Sequence, residues 1–149
     1  MQPLGYPAEM ADILHRTCDL LLDLGRNPDT ALATIPELYT EDMTFRDPIQ
    51  EVHGRDAFVE VTRRLIDRTR SIEVRVHHSA HSGDAMFIAW TMSIAFPIGP
   101  QVDFEGVSHF GLKDDRIATH RDHFDLLGSM IDAVPGVRSV YRLIVSRFG

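Results

Sequence analysis

At 149 residues, 44% hydrophobic and 25% charged, the chain has the make-up of one globular domain, long enough to bury roughly 70% of its unfolded surface. A net charge of −7 argues against nucleic-acid partners, which are held by clustered Lys and Arg. A single cysteine, Cys18, rules out an internal disulfide, and no apolar run approaches the roughly 18 residues of a membrane span.

From Ala8 to Leu24, Ala11, Leu14, Cys18 and Leu21 recur at three- and four-residue steps, which predicts an amphipathic helix with Cys18 in the core. "GRNPD" breaks it, and Asp29 or Thr30 opens a second helix through Leu38 and Tyr39, shortened or kinked by Pro36. Met43 to Arg46 predicts a short strand. In the stretch "FRDPIQEVHGRDAF", Asp47-Pro48 turns the chain, because aspartate bonds its own backbone and the residue before proline avoids the helical region. The same carboxylate, fixed on a short strand end that points into a cavity, could instead be a working one.

Gly54 to Arg70 returns to helical spacing, with Phe58, Val61 and Leu65 on one face. Arg63, Arg64, Arg68 and Arg70 alternate with Glu60 and Asp67 on the other, a solvated surface rather than an anion site. After Ser71 the period changes to two: Ile72, Val74 and Val76 alternate with Glu73, Arg75 and His77 until Gly83-Asp84 turns the chain. "AMFIAWTMSIAF" is apolar on both faces and predicts a central strand covered on both sides. "QVDFEGVSHFGL" and "RIATHRDHFDLL" flank Lys113-Asp114-Asp115 as a hairpin. The segment from about Leu126 to Phe148 is helical with a break at Pro135-Gly136. Helices followed by an antiparallel meander and a final helix define a single α+β domain, residues 1–149, with a pocket between sheet and helices.

That order of elements, with "LYTEDMTFRDPIQEVHGRDAF" before the sheet and "GLKDDRIATHRDHFDLL" at its last hairpin, resembles the nuclear transport factor 2-like superfamily. Within it the chain is similar to the branch of ketosteroid isomerases, SnoaL-like polyketide cyclases and limonene epoxide hydrolases, over roughly Ala8 to Leu127. The resemblance implies a cone-shaped α+β fold, an apolar small-molecule cavity and homodimers. "TEDMTFRDP" is similar to the ketosteroid isomerase stretch whose last Asp is the proton-transfer base, which falls on Asp47. "HRDHFD" is similar to the epoxide hydrolase stretch whose first Asp activates water, which falls on Asp122, and Phe45 stands where those hydrolases carry a Tyr. The chain departs from both patterns: Trp90 and Met92 replace the hydrolases' Arg-x-Asp, and the first helix lacks the isomerases' oxyanion Tyr.

Strand parity then groups the candidates. An inward Asp122 takes His120 and Phe124 with it, alongside Phe104, Ser108 and Phe110 on the preceding strand and Trp90 and Met92 on the central one. With Phe45, these residues would line an apolar pocket carrying a few polar groups, which suits a small apolar ligand. His109 has the opposite parity. His77 and His81 share a face without a ligand-spaced carboxylate, so no metal is expected, and no phosphate loop or serine elbow is present.

The expectation is a cofactor-free enzyme moving a proton on an apolar carbonyl compound, by isomerisation or aldol-type cyclisation. Asp47 would be the base, and Asp122 with His120 the acid or enolate-holding group. Two alternatives stand beside it: a hydrolase or dehydratase in which Asp122 activates water, and a non-catalytic ligand-binding or dimerisation module. A homodimer covering Ile72, Val74 and Val76 is expected. No signal-peptide segment opens the chain, so the expected location is cytoplasmic.

Overall fold

The first apolar stripe becomes helix α1 (Ala8–Arg26), followed at once by α2 (Pro28–Leu38), with Pro28 in the first turn where its missing N–H costs nothing. The structure, a computed structural model, describes residues 8–147; the expected helical end at Phe148 lies outside the described residues. The buried line of α1 runs Ile13, Thr17, Leu20 and Leu24, with Leu21 beside it, whereas Ala11 is exposed and Leu14 and Cys18 only half-buried. Thr17 was invisible to an apolar count. Its hydroxyl bonds back to the Ile13 carbonyl at 2.6 Å, which satisfies it in the core. Burial pushes the Cys18 thiol up, an inert packing residue.

Strand β1 (Tyr39–Arg46) starts four residues earlier than its expected Met43 and pairs antiparallel with a short β2 (Glu51–His53) that sequence periodicity did not reveal. Three residues are too few to display an alternation. Gly54 follows with φ +89°, a conformation that needs glycine, and its N–H bonds the Met43 carbonyl at 2.8 Å. Helix α3 (Arg55–Arg68) buries Phe58 and Thr62, and Glu60 pairs with Arg63 and Arg64 on its solvent side.

The meander follows as expected: β3 (Ser71–Ser82), β4 (Ala85–Ala95), β5 (Val102–Lys113) and β6 (Arg116–Phe124), each antiparallel to the next. Asp114 and Asp115, with φ of 50° and 58°, form the two-residue turn between β5 and β6. β1 then lies parallel to β6, giving one curved, unclosed, mixed sheet in the order β2-β1-β6-β5-β4-β3. Helices α4 (Leu126–Ala133) and α5 (Val137–Val145) end the chain, and Asp125 caps α4 through the Gly128 N–H at 2.8 Å. Helices on one face of a curved sheet make this a cone-shaped α+β domain.

Two expectations about faces change. Ile72 and Val74 are buried, because α1 lies on β3, so they offer no surface to a second copy. β4 is covered unevenly: Met86, Ile88, Trp90 and Ile94 are buried on one face, while on the other Thr91 and Ala95 are buried but Phe87 is exposed, its ring stacked on His109 at 4.7 Å. A third follows from a bulge in β3 between Val76 and His78. It shifts the parity, so His77 bonds Thr91 at 2.7 Å while His81 is buried, and the two do not share a face. Among the described residues no His, Cys, Asp and Glu group is placed to hold a metal.

Candidate active site

The junction between α2 and β1 is pinned by two arginines. Arg116 Nη2 donates to the Pro36 carbonyl at 2.7 Å and to Glu37 O at 3.2 Å, and Arg55 Nη1 reaches Pro36 O at 3.3 Å and Tyr39 O at 3.4 Å. They satisfy the free carbonyls of the helix end and oppose its negative dipole. Arg16 of α1 adds an ion pair to Glu37. Tyr39 is the residue so anchored. It is 0% exposed, and its hydroxyl lies 3.0 Å from His120 Nδ1 on β6.

From His120 a chain of hydrogen bonds crosses three strands. His120 Nε2 is 2.8 Å from Asp122 Oδ1, Ser108 Oγ donates to the same oxygen at 2.5 Å, and Trp90 Nε1 donates to Ser108 Oγ at 2.8 Å. The pairing makes this possible, because Ser108 sits opposite Asp122 and Trp90 opposite Gly106, all with the inward parity expected of them. Gly106 is needed there: a Cβ would lie 2.6 Å from the Trp90 indole and 2.8 Å from the His123 carbonyl. Sequence reasoning brought Asp122, His120, Ser108 and Trp90 to one face but missed Tyr39, which it placed at the end of a helix. Nothing local marks Tyr39, because its link to His120 spans 81 residues.

Rings enclose the imidazole. Phe110 lies 4.4 Å, Phe45 5.0 Å, Phe58 5.7 Å and Tyr39 6.0 Å from its centroid. With both nitrogens engaged and 4% exposure, His120 has no atom left for a ligand. Asp122 is different: its side chain is 19% exposed.

An open pocket of about 960 Å³ borders Asp122, Asp47, Trp90 and Phe124. Its wall joins these to residues of the opposite parity, including Arg46, Thr91, Glu105 and Arg121. Of the other residues expected to line a cavity, Phe45, Phe104, Ser108 and Phe110 are packed into the core, and Met92 is half-buried away from this pocket. The indole fills the inner space in front of Gly106, and Phe124 packs near Trp90 and Phe104 at 6.1 and 5.3 Å.

Asp47 closes the β1–β2 turn. Its Oδ1 accepts from Ile49 N at 2.7 Å and Gln50 N at 2.8 Å, and its own N–H bonds Gln50 O at 3.0 Å. Phe45 lies level with His120 in the parallel pair, so Asp47 follows beside Asp122 at the pocket. Two acids therefore border one pocket, one of them tied to the backbone through Oδ1.

Burial, with the charge of Asp122 adding to it, pushes the Tyr39 hydroxyl well above its ordinary 10.0. Above pH ~10 the unfolded chain releases this proton while the folded chain keeps it, so stability falls as pH rises, by up to about 1.4 kcal/mol per unit. Urea titrations should show wild type losing stability more steeply than Tyr39→Phe over this range. Equal slopes would mean that the phenol is not buried.

This sheet and helix arrangement defines the nuclear transport factor 2-like class. The SnoaL-like domain model matches residues 27–120, and the chain belongs to that family. In fold it is similar to a Jannaschia protein described as a SnoaL-like polyketide cyclase (TM-score 0.76, 19% identity, 88% of this chain and 97% of that one). It is also similar to an M. tuberculosis LEH-like epoxide hydrolase (0.71, 20%, 93% and 98%). A Catenulispora acidiphila protein with a ketosteroid isomerase-like fold, in complex with trimethylamine, is a third (0.66, 16%, 79% and 90%). Among proteins of curated function, none matches the chain in sequence.

Proposed function

We propose that the protein is a cofactor-free enzyme that moves a proton on an apolar carbonyl compound, by isomerisation or aldol-type cyclisation, with Asp122 as the working carboxylate. The observation that carries this reading is the double hydrogen bond to Asp122 Oδ1 beside a pocket of about 960 Å³. Two fixed donors hold the carboxylate in one orientation, as a positioned base requires. Asp47 shares the pocket but supplies the turn with Oδ1, so we assign it a ligand-contacting role instead of the base. The test is a thermal-shift screen of enones, phenols, polycyclic ketones and epoxides, followed by exchange of the ligand's α-hydrogen with deuterated solvent. Binding without exchange would refute the proton-transfer step. No binding at all would favour the non-catalytic module, for which the packed inner face already speaks.

A water-activating role for Asp122 has one specific support, its access to solvent. Product labelled with solvent ¹⁸O would select that hydrolase or dehydratase reading over isomerisation.

We also propose a homodimer formed through α5. Val137, Val140, Tyr141 and Ile144 follow one side of this helix, all exposed, and no residue of α4 or α5 is buried. The segment after Val134 carries Arg138, Arg142 and Arg147 and no acid, while the chain as a whole is at −7, so a second copy attracts it electrostatically. Light scattering should give twice the chain mass for wild type and a folded monomer for Ile144→Asp. A monomeric wild type would end the proposal.

A further inference from the structure

We infer that Tyr39 is a positioning residue: its buried hydroxyl holds His120 with its hydrogen on Nε2, so that His120 serves Asp122 as a fixed donor and takes no proton from it. Each hydrogen-bonded arm begins at a buried hydrogen with one acceptor in reach. The Trp90 indole N–H has no acceptor capacity, so Ser108 Oγ accepts from it and turns its own hydrogen to Asp122 Oδ1. On the other side the phenol is fully buried, and burial keeps it protonated. Its hydrogen has one partner among the described residues, His120 Nδ1 at 3.0 Å, and leaving a buried hydroxyl hydrogen without an acceptor is costly.

Nδ1 is therefore the bare nitrogen, and the ring's single N–H is on Nε2, 2.8 Å from Asp122 Oδ1. The opposite tautomer would set a bare nitrogen against a carboxylate oxygen at that distance and orphan the phenol hydrogen. Both arms end on Oδ1, and Oδ2 carries no hydrogen bond among the described residues, so it is the oxygen left for a ligand. A proton collected on Oδ2 cannot pass to an Nε2 that already bears one. It stays on Asp122 until that same carboxylate returns it.

The consequence for catalysis rests on the reading of Asp122 as the working carboxylate, but the tautomer does not, and its test needs no substrate. Protein labelled with ¹⁵N-histidine gives long-range ¹H–¹⁵N correlations, with His120 identified by the signals that vanish in His120→Gln. The expected spectrum has a protonated Nε2 and a bare, hydrogen-bonded Nδ1. In Tyr39→Phe, which keeps the ring packed 5.2 Å from Phe58, the Nδ1–H form should appear alongside it. In Asp122→Ala the Nε2–H form should persist, since the lock lies on the other side of the ring. Nδ1–H or imidazolium in the wild type overturns the inference. So does a tautomer that relaxes in Asp122→Ala yet is unmoved in Tyr39→Phe, which would make Asp122 the lock. A dead enzyme with an intact Nε2–H signal counts against the proposed function alone.

Discussion

Asp122→Asn should lower turnover by roughly 10²–10⁴-fold, the range ordinarily supplied by one positioned acid or base, with little change in melting temperature. Asparagine has nearly the shape of aspartate, and its carbonyl can still accept from Ser108 and His120 at Oδ1. What it lacks is the second oxygen's capacity to take a proton. Asp47→Asn is the paired control, because its amide oxygen can accept from Ile49 and Gln50 and so preserves the turn. Steady-state rates on the first ligand that exchanges its α-hydrogen decide between them. A loss confined to Asp122→Asn supports the assignment made above. If Asp47→Asn carries the larger loss, the base is Asp47, and its free oxygen does the work.

Trp90→Ala should cost about 3–5 kcal/mol of stability, the usual range for truncating a buried aromatic residue. Three contributions meet in this side chain: the indole packs against Gly106, lies near Phe124, and supplies the N–H that orients Ser108. Its removal opens the inner face in front of Gly106. The resulting cavity should bind indole, and saturating indole should restore part of the lost melting temperature by mass action. Chemical denaturation with and without indole measures both effects. A variant that is destabilised but gains nothing from indole would mean that the core collapses into the space. A variant as stable as wild type would mean that the indole is not packed as described.

The elements were legible in the chain because their causes are local. Period-two alternation marked β3, a stretch apolar on both faces marked β4, Lys113-Asp114-Asp115 marked the hairpin of β5 and β6, and the Asp-Pro marked the turn after β1. Parity along single strands was enough to put Asp122, His120 and Ser108 on one face. Periodicity failed where the backbone departs from it. A bulge after Val76 moved His81 to the other face from His77, and a three-residue β2 was too short to show a pattern. Thr17 entered the core through a bond to its own helix, which no hydrophobic count detects.

The site divides along the same line. Composition and alternation established an acidic α+β domain, because charge, period and turn chemistry reside in neighbouring residues, and the resemblance of two short stretches to a known family singled out Asp47 and Asp122 as candidate carboxylates. Tyr39 behind His120, the indole filling the space before Gly106, and Asp47 spending Oδ1 on its turn depended on contacts between strands distant in sequence or on side-chain directions. The parallel pairing of β1 with β6 joins residues about 75 positions apart, and only its register sets Asp47 beside Asp122. No local rule encodes such a register, since it is fixed by how the whole sheet packs against its helices.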